Sequence, residues 1–343
     1  MEVVLDITEI VPTKTSGGRE IALITNSKNV TMYTPESGKW GGGRESKRVV
    51  TNRFMILDDL FFEGLGLWVG EGGKNKGLYF GNTSPELLLR FLEFAEKKFG
   101  LSRGMFKVTI NSPQREAGLK ERWSRILQIP TENFTNVCFD ARINREYAQV
   151  YLNSIVLAEL MKNLQEKLGP VILSAKEYAV SFLKGMFAAE GQVALRKPSS
   201  FHVTFSSTDL ELVSFLKQCL RLVDILSGKY MPNGRKFPIY GYKNLKCFRE
   251  LGIHTLHPDK REKFERGFAS YKRVNVLGGE EARALILQQL ASGPKTYDDL
   301  AAALGKARTT IQAHHIPILE REGKVKRAGK RGKAWLFACG RQK

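Results

Sequence analysis

The sequence predicts an α+β protein: two repeated α-β-β-α-β-β-α units, a short β-rich extension before them and a winged helix-turn-helix after them. Three observations lead there. First, two apolar stretches share one pattern: small residues four apart, then an acid, then glycine. In one the small pair is Gly66 and Gly70, followed by Glu71 and Gly72; in the other it is Gly185 and Ala189, followed by Glu190 and Gly191, the acids lying 119 positions apart. Second, residues 78–87 and 202–212 each read as a strand running into a helix, and an internal repeat outranks any single motif as a guide to architecture. Third, the segment from 278 has three short apolar-periodic runs followed by a basic β-like pattern.

Residues 1–53 form the β-rich extension. Residues 3–7 and 21–24 read as strands, with Ser16-Gly17-Gly18 as a turn. The run from Gly41 to Arg48 is glycine-rich and basic, and reads equally as an arm touching phosphates or as a solvated loop.

The first unit covers 54–169. Leu60, Phe61, Gly64, Leu67 and Trp68 recur at helical spacing on one face of 58–71, and Phe62, Gly66, Val69 and Gly70 fill another. A helix apolar on two sides is buried on two sides. A hairpin (73–83), a helix (84–99) and a strand (105–111) follow. Residues 112–131 read as an irregular basic insertion holding Arg115, Lys120, Arg122 and Arg125. A strand (134–142) and a helix (144–167) close the unit, and Gly169-Pro170 breaks the chain there.

The second unit covers 170–277 in the same order: helix 175–190, hairpin 192–207, helix 209–223, strands at 227–232 and 236–241, then short helices. Each unit thus carries a four-stranded antiparallel sheet with its helices on one side. Thr83 with Glu86, and Thr208 with Glu211, have capping-box spacing, in which hydroxyl and carboxylate satisfy orphan amides at a helix start.

Residues 278–343 read as the winged helix-turn-helix. Helix 280–291 turns Ala284, Leu285, Leu287 and Leu290 inward. The second helix follows Thr296, carries Leu300, Ala301 and Leu304, and ends at Gly305. The third, 307–322, turns Ile311, Ile316 and Leu319 inward and is kinked by Pro317. Val325 and Trp335-Leu336-Phe337 are wing strands around the basic run 326–333. The segment holds 13 basic and 6 acidic residues, a net +7. A basic wing behind such a helix is a nucleic-acid signal, the bland reading being a protein-docking module. The residues expected on DNA are Arg308, Thr309, Thr310, Gln312 and His314 on the helix, and Lys326, Arg327, Lys330, Arg331 and Lys333 on the wing. Arg196 and Lys197 join them from the second unit. His314 and His315 read as touching phosphate or solvent.

Composition agrees. The chain of 343 residues is 42% hydrophobic, enough for real cores, and its net charge of +19 calls for a polyanionic partner. No basic amphipathic helix points to a membrane surface, and no apolar run reaches the roughly 18 residues of a membrane helix. Cys138, Cys219, Cys247 and Cys339 are too scattered for a zinc site or a disulfide framework, which fits buried thiols in a reducing cytoplasm.

The two acid-ending stretches resemble the paired motifs of the LAGLIDADG homing endonucleases in their single-chain form, over about 54–270. Residues 183–191 are close to that motif; Val69 and Ala188 depart from it, standing where the family has an earlier aspartate. The resemblance implies two motif helices side by side at a pseudo-twofold axis, above a DNA-binding saddle of two sheets. It implies Mg²⁺ or Mn²⁺ held at Glu71 and Glu190, with Gly70 and Ala189 beside them in the metal site. It also implies basic residues near the scissile phosphates, for which Lys74, Arg142 and Lys236 are the candidates.

The residues themselves support this. Small residues four apart let two helix backbones approach closely. Glu71 and Glu190 then meet at helix C-termini, where the dipole disfavours negative charge, and a shared proton or cation offsets their repulsion. Hard cations prefer carboxylate oxygens. Phosphodiester hydrolysis asks an enzyme for on the order of 20 kcal/mol, beyond two isolated acids.

The expected function is site-specific cleavage of double-stranded DNA by a monomer. Two alternatives stand beside it. Some bacterial sporulation regulators share a LAGLIDADG-like fold followed by a helix-turn-helix and bind DNA without cutting it. Some family members are maturases that bind intron RNA.

Overall fold

The computed structural model describes residues 3–36, 43–73, 77–195, 201–231, 235–271 and 279–340. The chain divides into two compact units, residues 1–272 and 273–343.

At the middle of the first unit lie two helices, Asp59–Glu71 and Lys176–Glu190. Asp58 starts the first by accepting a hydrogen bond from the Phe61 amide at 3.0 Å. Every residue from Leu60 to Val69 is buried, as a helix apolar on two sides and packed on both requires. The glycines explain how close the pair comes. A Cβ on Gly66 would stand 2.5 Å from the Phe182 carbonyl oxygen, and one on Gly185 would stand 2.1 Å from that of Glu63. Polar side chains lock the register: Ser181 Oγ donates to Asp59 Oδ1 at 2.5 Å, and Lys184 lies 3.8 Å from Glu63. Buried Glu63 is paired in turn with Arg90 at 2.6 Å.

One sheet flanks each helix of the pair. The first has strand order Gly77–Asn82, Tyr147–Asn153, Lys107–Ser112, Phe134–Phe139. Leu78, Phe80, Val108, Ile110, Ala148 and Val150 point inward along it, the alternation expected of a sheet with one solvated face. The second sheet is wholly antiparallel, in the order Gln192–Ala194, His202–Ser206, Lys236–Ile239. Helices Pro85–Phe99 and Leu210–Leu222 follow the equivalent strands in the two repeats. Aromatic cores fill both halves: Phe80 stacks on Phe91 at 4.9 Å, and Phe187 meets Phe248 edge-on at 5.0 Å.

Several expectations are corrected. Lys107–Ser112 and Phe134–Phe139 run parallel, so the first sheet is not purely antiparallel. Their connection is long enough for a crossover because the supposedly irregular stretch contains the helix Leu119–Leu127, which buries Leu119, Trp123 and Leu127 on one face. The stretch 144–167 is not one helix. Tyr147–Asn153 alternates inside and outside as a strand, and Ser154 then caps the helix Ile155–Lys167. The second sheet has three strands among the described residues. Residues near 228–231 do lie beside Lys236–Ile239, through Gly228 N to Pro238 O at 2.7 Å and Met231 N to Lys236 O at 2.8 Å. Pro238 has no N–H to return, so no regular ladder forms.

Neither predicted capping box forms, and each helix is instead capped one residue later. Ser84 accepts from the Leu87 amide, and Asp209 accepts from the Glu211 and Leu212 amides at 3.0 and 3.1 Å. Pro85 sits at the first helical position, which makes the residue before it the cap. The β-rich extension belongs to the first unit's core. Ile7, Val30, Met32 and Val49 are buried in the same cluster as the central helices, and Asn163 Nδ2 donates to the Ile10 carbonyl at 2.8 Å.

The second unit is built from helices Gly279–Ala291 and Tyr297–Leu304, a third helical stretch, and the hairpin of Val325–Arg331 with Ala334–Cys339. Thr296 and Asp299 form a capping box. The first helix buries Ala282, Ile286 and Leu290 at four-residue spacing; Leu290 and the partly buried Leu287 face inward as expected, whereas Ala284 is exposed. The third begins as Arg308–Thr310, widens to a π-turn over Ile311–His315 and resumes as Ile316–Arg321. Pro317 lacks the amide that would bond back four residues, so the helix takes a wider turn before it. His315 is thereby buried at 6% exposure, which removes it from the surface role expected of it. The basic run 326–331 is itself strand, with a bulge between Arg327 and Gly329, where φ is 124°.

Among the described residues no helix is long and apolar enough to cross a membrane. The four cysteines are unpaired, and burial pushes the Cys219 thiol up to about 12.

The helix pair yields a stability test. Gly185→Ala should lower the free energy of urea unfolding by about 1–3 kcal/mol through overpacking against backbone. Gly104 has nothing within 4 Å of a Cβ position, so Gly104→Ala should stay within about 0.5 kcal/mol of the parent.

Candidate active site and nucleic-acid interface

Glu71 and Glu190 are the last residues of the two central helices. Each helix stops the same way. Gly72 and Gly191 take extended backbone at φ −69° and −71°, with their amides bonded to the Trp68 and Phe187 carbonyls at 2.7 and 3.0 Å. The close packing continues to this end, where a Cβ on Gly70 would stand 2.4 Å from Ala189 Cβ and 3.4 Å from Glu190 Cγ. Val69 and Ala188, the departures from the motif, are core residues at 2% and 1% exposure.

Burial raises the pKa of both carboxyls. For Glu71 a hydrogen bond from Asn82 Nδ2 at 2.8 Å and the charge of Lys260 oppose that rise, while Glu190 adds to it. For Glu190 the Lys260 charge is the opposing influence. Lys260 lies on the helix Pro258–Ala269, and its ammonium donates to the carbonyls of Phe187, Ala188 and Ala189 at 3.1, 2.6 and 2.9 Å. Burial brings its pKa down to about 8 against the pull of both glutamates. Sequence reasoning missed this residue. Pro258-Asp259-Lys260-Arg261-Glu262-Lys263 looks like an ordinary charged helix start, and no local pattern marks which lysine turns inward.

Each acid opens onto its own hollow. Beside Glu190 is one of about 590 Å³, lined by Gly70, Ser207, Thr208, Arg235 and Lys236 among others. Beside Glu71 is one of about 410 Å³, lined by Asn82, Thr83, Tyr79, Tyr147, His257 and Lys260 among others. Asn82-Thr83 and Ser207-Thr208 are equivalent in the repeat, so the hollows are counterparts with different linings. His257 belongs to the second repeat but faces the first acid. Burial brings its imidazole down to about 4, and its Nδ1 is buried without a hydrogen-bond partner among the described residues.

The other expected residues divide. Lys236 is at the Glu190 hollow, with Nζ donating to Gln192 Oε1 at 2.7 Å. Arg142 lies on an exposed turn, clamped to Asp140 at 2.8 Å, and lines neither hollow. Lys74, Arg196 and Lys197 lie outside the described residues. Among the described residues no three His, Cys, Asp or Glu side chains gather as a metal cluster. The two carboxylates still suit a hard divalent cation in chemistry, since Mg²⁺ is usually held by one or two carboxylates, with water and phosphate completing its shell. A cation there would also offset the cost of burying two like charges. The Ala189 carbonyl is already bonded to Lys260.

The solvent side of the first sheet is polar and aromatic. Tyr79, Tyr151 and Lys107 form one cross-strand row, and Gln149, Thr109 and Asn136 form the next. Tyr151 and Gln149 are hidden in the sequence because 144–167 reads as helix there; the others lie on expected strands, where alternation does not settle which face is outward.

In the second unit Arg308, Thr309, Gln312 and His314 are exposed, and Thr310 is half-buried. The exposed wing residues Arg327 and Lys330 lie over Trp335 at 5.0 and 4.6 Å. Arg308 pairs with Asp298 at 3.2 Å and Arg331 with Asp299 at 2.9 Å. Lys326 and Lys333 extend from the wing as exposed residues.

Residues 177–285 match the family model of the LAGLIDADG-like domain, a span that takes in most of the second repeat. Residues 280–327 match that of bacterial regulatory proteins of the arsR family. No curated protein matches the chain. Among solved structures, mesophilic variants of the homing endonuclease I-DmoI align at 15% identity and a TM-score of 0.38, over 60% of this chain and 97% of theirs. Full-length DUF199/WhiA from Thermatoga maritima aligns at 14% identity and a TM-score of 0.37, over 77% of this chain and 91% of its own. The N-terminal LAGLIDADG domain of DUF199/WhiA aligns at 15% identity and a TM-score of 0.34, over 57% and 82%.

The raised carboxyl pKa values set a pH test. A carboxyl with a folded pKa above its unfolded value destabilises the fold once pH exceeds the unfolded value near 4.5. Below that pH both states are protonated and the penalty vanishes. Glu190→Gln should therefore melt higher than the parent at pH 7, with the difference shrinking toward zero as pH falls through 4.5. An equal difference at both pH values would show that the ionised carboxylate carries no burial penalty.

Proposed function

We propose that this chain, which carries a LAGLIDADG-like domain over 177–285, is a site-specific endonuclease for double-stranded DNA acting at Glu71 and Glu190. The observation that carries this reading is the acid pair itself. Two carboxylates end two helices that touch backbone to backbone, and each faces a separate polar hollow. Two strands of a duplex present two scissile phosphates, and a paired site offers one hollow to each.

Glu71 and Glu190 would hold Mg²⁺ or Mn²⁺, with Gly70 and Ala189 at its edge. When bound, the cation supplies Lewis-acid activation of water and neutralises charge at the phosphate. The chain's own residues do the rest. Asn82 fixes the orientation of the Glu71 carboxylate. Lys236, steadied by Gln192, offers a positive charge to phosphate beside Glu190. The outward rows of the first sheet, with Tyr, Gln, Thr and Asn side chains, carry donors and acceptors for base edges. The basic third helix and wing of the second unit add phosphate contacts, which give affinity without sequence information. The chain would work as a monomer, because both acids lie on one polypeptide.

A second reading, a noncatalytic DNA-binding regulator, is favoured by one observation: Lys260 already supplies a positive charge to both acids. Cleavage separates the two. With Mg²⁺ and a randomised DNA library the parent should cut both strands at a preferred site. Glu190→Gln should lose that activity while keeping its affinity for the same DNA. A parent that cuts no DNA in Mg²⁺ or Mn²⁺ yet binds one duplex tightly would establish the regulator. Tighter binding to structured RNA than to duplex would point to a maturase.

Deleting residues 278–343 should weaken duplex binding and flatten its salt dependence by roughly 0.9 logarithmic units of slope per lost phosphate contact. An unchanged slope would mean that this unit docks protein instead.

A further inference from the structure

The carbonyls of Phe187, Ala188 and Ala189 lie in the last turn of the second acid helix, where they carry the negative end of its dipole. An ammonium has three protons to donate, and Lys260 has all three of these oxygens as acceptors, at 3.1, 2.6 and 2.9 Å. The head group is thus fixed by a matched set of hydrogen bonds rather than left to a flexible stem. Its donors are spent on backbone, so it acts on the carboxylates as a charge held in place. It lines the same hollow as Glu71 and holds the carbonyl of Ala189, the residue before Glu190, so both carboxylates lie in its field.

The helix carrying Lys260 is anchored across the repeat. Asp259, its neighbour, pairs with Arg145 of the first repeat, and His257 at the helix start lines the Glu71 hollow. The lysine is therefore presented to the acid pair by a framework that grips both halves.

We propose that the Lys260 ammonium is the built-in counter-ion of the Glu71–Glu190 pair. In the DNA-free chain it offsets the acids from the last turn of the Glu190 helix, and a divalent cation binds them in competition with that charge. This rests on reading the two glutamates as a cation-holding pair. The charge arithmetic favours it. Two ionised carboxylates with one ammonium leave a single negative charge, too little to draw in a divalent ion strongly. Without the ammonium the same two carboxylates match a divalent ion in charge. The Ala189 carbonyl, an oxygen at the edge of the pair, is committed to Lys260 as well. Added phosphate oxygens from bound DNA would shift the balance toward the metal, so cation uptake and DNA binding are coupled.

The test is calorimetric titration of the DNA-free full chain with Ca²⁺ and with Mn²⁺. The parent and Lys260→Arg, which keeps the charge, should bind weakly. Lys260→Met should bind at least about tenfold more tightly, the scale of one nearby charge on a carboxylate. Adding Glu190→Gln to Lys260→Met should abolish the gain. Ca²⁺ should raise the melting temperature of Lys260→Met more than that of the parent. Lys260→Gln, which keeps amide donors for the carbonyls without the charge, carries the same test if the methionine variant is poorly folded. Folded Lys260→Met and Lys260→Gln that bind no more tightly than the parent would overturn the counter-ion role. That outcome is independent of cleavage. A parent inert on DNA leaves the titrations unchanged, and a parent that cuts DNA is still open to refutation on this point.

Discussion

Where Gly66 meets Gly185, hydrogen is the largest substituent that fits between two helix backbones. A methyl group at either position would stand within 2.5 Å of a carbonyl oxygen of the opposite helix. The interaxial distance is therefore set by main chain rather than by side-chain volume, and main chain does not relax. That rigidity is transmitted to the helix ends, where Gly70 meets Ala189 and two carboxylates come into each other's field. Each flanking sheet is held to one helix of the pair. The aromatic clusters fill space around the pair, but the pair determines where the acids and the sheets lie.

The helices were legible in the sequence because their apolar positions persist over thirteen or more residues. Residues 58–71, 84–99, 175–190 and 209–223 were expected as helices, and the structure has Asp59–Glu71, Pro85–Phe99, Lys176–Glu190 and Leu210–Leu222. Short or mixed elements were not legible. Leu119, Trp123 and Leu127 form a one-residue-wide stripe among charges, so that helix read as loop. In Tyr147–Asn153 the buried residues are Ala148, Val150 and Leu152, a period of two that merged with the helical pattern after it. The parallel pairing of two strands could not be read locally at all, because it depends on where the chain returns.

For the candidate site, the two acids were readable because repetition marked them. Their electrostatic environment was not. Lys260 is 70 residues beyond Glu190 in sequence and reaches the carbonyls just before it only because its helix folds back onto the end of the acid helix. Asn82 was read as part of a strand-to-helix turn, and its hydrogen bond to Glu71 depends on the side chain's rotation. Arg142 stands apart from both hollows for the opposite reason. Asp140, two residues before it, captures it on the surface through a local pairing that sequence proximity favoured all along.

Pro238 has a consequence for how the protein lives in a crowded solution. It sits on an outer strand of the second sheet, one with a regular neighbour on its inner side only. An open outer strand offers a ladder to any passing extended chain, including another copy of itself. Here the ring removes one donor from that ladder, and the segment near Gly228–Met231 occupies two of its acceptors without completing a strand. Among the described residues, the one that keeps this edge from a regular fourth strand thus also denies intruders one place to pair. The fold gives up a few backbone hydrogen bonds at this rim and in return makes this edge a poorer template for strand pairing.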